Sequence, residues 1–165
     1  MKILLLEREA KSRTRLQRFL ERYGFTVSTH EAVSAAYDGF LESSPSVVIA
    51  DATSDGPGGL TLCSQIRANP AAAQPYIILL IGRPMGEAAV PFLETQADDL
   101  LCRPVRGMEL VARLEVATAS LARRRESAAD LAQLRRIRDT SPDPIVVLGP
   151  GGELLHANPA CAALL

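Results

Sequence analysis

Tryptophan is missing from the 165 residues, and phenylalanine and tyrosine together supply only 4% of them. So little aromatic surface excludes a base-stacking platform and leaves poor material for sugar binding. Cysteine is scarce as well. Cys63, Cys102 and Cys161 lie far apart and are odd in number, which fits neither a disulfide framework nor a zinc-ligand spacing. They read as small buried hydrophobes in a reducing compartment. Neither charge sign is in excess: 18 Lys and Arg stand against 19 Asp and Glu, for a net charge of -1. No whole-chain field draws nucleic acid or an anionic membrane, and neither is an expected partner. No apolar run approaches the roughly 20 residues that span a bilayer. The first residues lack the zones of a signal peptide, so the expected location is the cytoplasm. The two histidines, His30 and His156, fall at no predicted crevice-forming strand end, and a nucleophile–base hydrolase pair is not expected.

What is present is ordinary globular material, 47% apolar and 22% charged, enough for a buried core. Residues 2 to 6 form a short apolar run that ends in Glu7-Arg8-Glu9. Leu16, Phe19, Leu20 and Tyr23 then recur at helical spacing, with Gly24 placed as a C-terminal cap. Phe25 to Thr29 alternates as a strand, and Val33, Ala36, Tyr37 and Phe40 return to helical spacing. Val47 to Ala50 is apolar and runs into Asp51. A loop rich in Gly, Pro, Asp and Ser follows, and then a helix carrying Leu60, Cys63 and Ile66. Tyr76 to Ile81 is an unbroken apolar run, the mark of a strand covered on both faces. A weaker helix over Glu87 to Glu94 contains Pro91, and Asp99 to Cys102 is a brief strand before Arg103-Pro104. Met108 to about Arg138 reads as one long helix.

Five strand–helix repeats predict an α/β fold: a five-stranded, parallel, doubly wound, flavodoxin-like sheet with an extended C-terminal helix. In such sheets the working crevice lies at the carboxyl ends of the strands. Those ends carry Glu7-Arg8-Glu9, Asp51, Ile81-Gly82 and Arg103-Pro104. Converging carboxylates there can hold a hard divalent cation such as Mg2+, and a carboxylate can itself attack a phosphoryl group. Asp51 is the natural nucleophile, with Arg103 as the cation that steadies the added charge.

These motifs resemble response-regulator receivers over residues 1 to about 120. Lys2 to Glu9 is similar to the first strand and acidic corner. Val47 to Asp51 with Gly59-Leu60 is similar to the acceptor strand and the helix start that follows it. Ala97 to Pro104 is similar to the fifth strand with its basic-Pro ending. The resemblance implies Asp51 as phospho-acceptor and metal ligand. It implies Glu7 as the acid that holds Mg2+ through water, and Thr53 as a backbone-carbonyl ligand. It also places Arg103 at the family's lysine and makes Pro104 a cis-proline candidate. Three positions depart from the family pattern. Arg8 stands where the second acid would be, Ile81 where a hydroxyl residue senses the phosphoryl group, and Leu100 where an aromatic switch would sit. A guanidinium at Arg8 cannot ligate Mg2+ and is placed to pair with Glu7 or Asp51. Two readings follow: a receiver still phosphorylated on Asp51, or a pseudo-receiver in which Arg8 fills the cation site and the domain works by contacts.

Beyond the domain, Leu110, Leu114, Ala117, Leu121, Ala128 and Leu131 form an imperfect heptad stripe, interrupted at Arg124. A short parallel coiled coil and a homodimer are expected from it. The run Arg123-Arg124-Arg125 reads as a solvated face. The tail, with Pro144-Ile145-Val146-Val147, a Gly turn and His156-Ala157-Asn158-Pro159, resembles the opening of a PAS domain. The expected organisation is a receiver over 1–120, a helical linker over 121–139 and the truncated start of a PAS domain over 140–165. The fragment is expected not to be an enzyme. By the same resemblance its partners are a histidine kinase or other signalling domains, and the parent is a multidomain sensor carrying a histidine kinase or a cyclic-dinucleotide enzyme. From a different class, a flavodoxin-like cofactor-binding or enzymatic domain would use the same sheet. It would want a Gly/Ser/Thr phosphate cradle where Glu7-Arg8-Glu9 stands.

Overall fold

The computed structural model describes residues 1–53, 58–70, 74–82 and 96–164. The helix expected over Glu87 to Glu94, and residues 54–57 of the loop after Asp51, lie outside the described residues. Two compact units divide the chain, Met1–Leu121 and Ala122–Leu165.

In the first unit, β1 (Lys2–Leu6), α1 (Ala10–Arg22), β2 (Thr26–His30), α2 (Val33–Ser43) and β3 (Val47–Asp51) follow one another. Next come α3 (Gly59–Arg67), β4 (Tyr76–Ile81), β5 (Asp99–Cys102) and the start of α4 (Gly107–Thr140). The strands are parallel in the order β2-β1-β3-β4-β5. Gly24, at φ +82°, closes α1, with its N–H reaching the Glu21 carbonyl at 2.9 Å. The second strand sits one residue later than its alternation predicts, so His30 ends β2 at the carboxyl edge of the sheet.

The pleat sorts side chains by parity. Ile3, Leu5, Val47, Ile49, Ile78, Leu80 and Leu101 face one way and pack on Leu16 and Leu20 of α1 and Leu110 and Leu114 of α4. Leu4, Leu6, Val48, Ala50, Ile77, Leu79 and Ile81 face the other way, onto Phe40 of α2 and Leu62 and Ile66 of α3. Every residue of β3 and β4 is buried, as an apolar run covered on both faces requires.

In the second unit the rest of α4 leads to an antiparallel hairpin, β6 (Val146–Leu148) with β7 (Leu154–Ala157), and a 3-10 turn over Pro159–Leu164. Asn158, 2% exposed, is its polar centre. Its amide nitrogen donates to the carbonyls of Arg138, Ser141 and Asp143, and its Oδ1 accepts the Ile145 N–H at 2.8 Å. One side chain thereby ties the last turn of α4 to the segment that follows it.

Candidate functional site

The sheet order reverses between β1 and β3, and in a doubly wound sheet the crevice opens at that switch point. Glu7 follows the last residue of β1 and Asp51 is the last of β3. Both continue the parity of Ile3, Leu5, Val47 and Ile49, so both turn to the α1/α4 side. Arg103, two residues after buried Leu101, shares that side. Arg8 has the opposite parity.

The three side chains meet. Glu7 and Asp51 are 1% and 5% exposed. The Arg103 guanidinium lies between them: Nη2 donates to Glu7 Oε2 and, at 3.1 Å, to Asp51 Oδ1, while Nε reaches Asp51 Oδ1 at 3.3 Å. Ser12 closes the ring, its Oγ donating to Glu7 Oε2 at 2.8 Å and accepting from Arg103 Nη1 at 3.3 Å. The Glu9 N–H donates to Glu7 Oε1 at 3.1 Å. Burial works against the charge on Arg103. Its hydrogen bond and Coulombic attraction to Glu7, joined by Asp51, outweigh that and raise its pKa above the ordinary guanidinium value.

Arg103, the cation expected beside Asp51, has the guanidinium that joins the two carboxylates. Arg8 lies beyond the end of β1 and is exposed. Its backbone carbonyl, with that of Glu7, accepts from Arg13 Nη1 at 3.1 and 2.8 Å, which braces the corner after β1. Thr53 meets Asp51 as a donor, through its N–H at 3.2 Å and its Oγ1 at 2.6 Å, both to Oδ1. Ile81 is buried at the end of β4, and Leu100 is half-buried against the α2/α3 side of the core. The Arg103–Pro104 peptide bond is cis. Gly59 opens α3 against β3: a Cβ there would stand 2.9 Å from the Asp51 carbonyl oxygen, so a residue without one fits.

Ser12 and Arg13 were not singled out from the sequence. Ser12 carries a weak signal, since it sits one turn before Leu16 and Leu20 on the inward stripe of α1, where a polar residue needs a partner.

Magnesium takes six oxygen ligands at about 2.0–2.1 Å. Here Glu7 Oε2 and Asp51 Oδ1 both accept from one guanidinium that fills the gap between them. Among the described residues no group of three or more His, Cys, Asp or Glu side chains is placed to hold a metal. The residues present do not fit the ion in this arrangement.

A parallel five-stranded sheet with a buried aspartate at its switch point, a second acid beside it and a basic residue after β5 defines the class of phospho-acceptor signalling domains. The response regulator receiver domain family matches residues 3–115, and the chain belongs to it. A PAS domain family matches residues 132–165, so the receiver is followed by a PAS-like region. The transcriptional regulatory protein ResD of Bacillus subtilis is 29% identical over 114 residues, covering 69% of this chain and 46% of its own length. The transcriptional regulatory protein AfsQ1 of Streptomyces coelicolor is 33% identical over 112 residues, covering 68% of this chain and 48% of its own. The chain thus spans about half the length of the curated relatives it matches. In fold it is similar to the signal receiver domain of a signal transduction histidine kinase from Syntrophus aciditrophicus. That likeness has a TM-score of 0.67 at 22% identity, over 72% of this chain and 90% of that one. Receivers of this family are non-enzymatic signalling modules that commonly bind Mg2+ at the phosphorylation site and interact with histidine kinases and other signalling domains. Membership answers the flavodoxin-like alternative in favour of the receiver. Among the described residues no helix is long and apolar enough to cross a membrane.

Proposed function

We propose that this chain is the input receiver of a multidomain sensor in a two-component phosphorelay, with Asp51 as its phospho-acceptor in an atypical site. Its organisation is a receiver over 1–120, a helical linker over 121–139 and the first part of a PAS domain over 140–165. It works in the cytoplasm, takes its phosphoryl group from a histidine kinase, and passes the signal along α4 to the PAS-like region. A histidine kinase or a cyclic-dinucleotide enzyme is the output we assign to the parent protein. The observation that carries the reading is the buried Asp51 carboxylate at the switch point, with a positive charge already beside it. In the reaction an Asp51 oxygen attacks phosphorus of the kinase's phosphohistidine, the phosphorus–nitrogen bond breaks, and the imidazole nitrogen departs with the electron pair and takes up a proton. Arg103 is positioned to balance the charge that arrives. The departures from the family pattern, Arg8, Ile81 and Leu100, favour a second reading, a pseudo-receiver that signals by contacts alone.

Acetyl phosphate and intact-mass measurement separate the two. A single phosphoryl adduct on the wild type, absent from Asp51→Asn, is the expected result. No adduct, beside a normal receiver that reacts, would leave the contact-only reading.

A further inference from the structure

We propose that Arg103 is the resident counter-ion of the crevice and that the site excludes a divalent metal as long as Arg103 is there. The inference rests on the receiver reading of the same site and goes beyond it in saying how the acceptor is neutralised.

Three observations carry it. The first is place. Arg103 Nη2 touches Glu7 and Asp51 at once, so the guanidinium lies where an ion held by both would lie. The second is shape. Arginine presents a planar fork, and this one uses Nε and Nη2 on Asp51, Nη2 on Glu7 and Nη1 on Ser12. A lysine ammonium is a single point charge and could not join all three groups in this way. The third is charge. Glu7, Arg8, Asp51 and Arg103 sum to zero formal charge. An acid at position 8 would leave two negative charges, the balance a divalent cation needs. Ser12, 3% exposed, makes the arrangement a built one, because its hydroxyl serves the acid and the guanidinium together. For a metal to enter, Arg103 must leave two buried carboxylates and swing toward solvent, and Arg8 supplies no ligand in exchange.

The test titrates the full chain with MgCl2 to about 10 mM by calorimetry and follows the thermal midpoint, since a ligand that binds the native state raises it. Wild type, Arg103→Lys and the double variant Arg8→Asp/Arg103→Lys are compared, each shown to be folded by circular dichroism. Wild type is expected to give no saturable heat and no shift in midpoint. The double variant is expected to bind at least about tenfold more tightly than Arg103→Lys alone and to gain in midpoint with metal. Saturable Mg2+ binding by the wild type would overturn the proposal, and so would a folded double variant that gains none. Acetyl phosphate labelling with and without Mg2+ keeps the two readings apart. An adduct that needs Mg2+ overturns the metal exclusion and leaves the receiver reading intact. An adduct equal under both conditions supports both. No adduct in either, together with no Mg2+ binding, supports the exclusion and removes the phospho-accepting reading.

Discussion

Glu7 and Asp51 are charges that folding takes out of water, a cost met only by close donors. Each has them: Ser12, Arg103 and a backbone N–H for Glu7, Thr53 and Arg103 for Asp51. His30 contrasts with both. Its ring lies against α2, where a Cβ on Gly39 would fall 2.7 Å from two ring atoms, and its Nε2 is buried without a hydrogen-bond partner. Burial holds its pKa below the ordinary value of 6.5. The unfolded chain therefore takes up a proton more readily than the folded one. This contribution to stability is complete above pH 6.5 and declines as pH falls through 6.5 toward the lowered folded value. Urea midpoints at about pH 7.5 and about pH 5.5 check it. The wild type is expected to lose more stability at the acid end than His30→Gln does, and an equal loss in both would contradict the role given to His30.

At the scale of elements, the strands and the place of Asp51 at the end of one were legible in the sequence, and which of the two arginines named there joins Asp51 to Glu7 was not. Short unbroken apolar runs such as Tyr76 to Ile81 mark covered strands when turn signals bound them, and Asp51 follows such a run directly. Which arginine joins the two carboxylates depends on how the chain leaves β1 and on the reach of a side chain from the end of β5, neither of which a linear reading weighs. The same holds for Ser12, whose partners come from two other strand ends. His30 lay one residue beyond the predicted end of its strand. α4 shows the same division. Its first turns bury Leu110, Leu114 and Ala117 on the sheet, while Leu131, Leu134 and Ile137 are exposed, at 56%, 63% and 57%. Two successive three-residue steps carry those three round part of the helix surface, an exposed apolar face that a parallel partner helix would cover. Light scattering is expected to give about twice the chain mass, with Leu134→Glu returning it to the monomer value. A monomeric wild type would contradict the homodimer.

Across the whole molecule, one chain joins a receiver with two buried cores to a PAS-like unit organised by a single buried asparagine. The receiver gathers its chemistry where three strands end, and Arg103 stands four residues before α4 begins at Gly107, whose first turn buries Leu110. A change in what Arg103 holds is thus made close to the root of the helix that leads out of the domain. The pairing of Arg103 with Asp51 is the pivot, and a double-mutant cycle measures it most directly. Asp51→Ala, Arg103→Ala and the double variant are unfolded with urea, and the coupling between the two sites is read from the four stabilities. A favourable coupling of about 1–3 kcal/mol is expected for a partly buried pair. Additive effects, with a coupling below about 0.5 kcal/mol, would contradict the claim that Arg103 holds the Asp51 carboxylate.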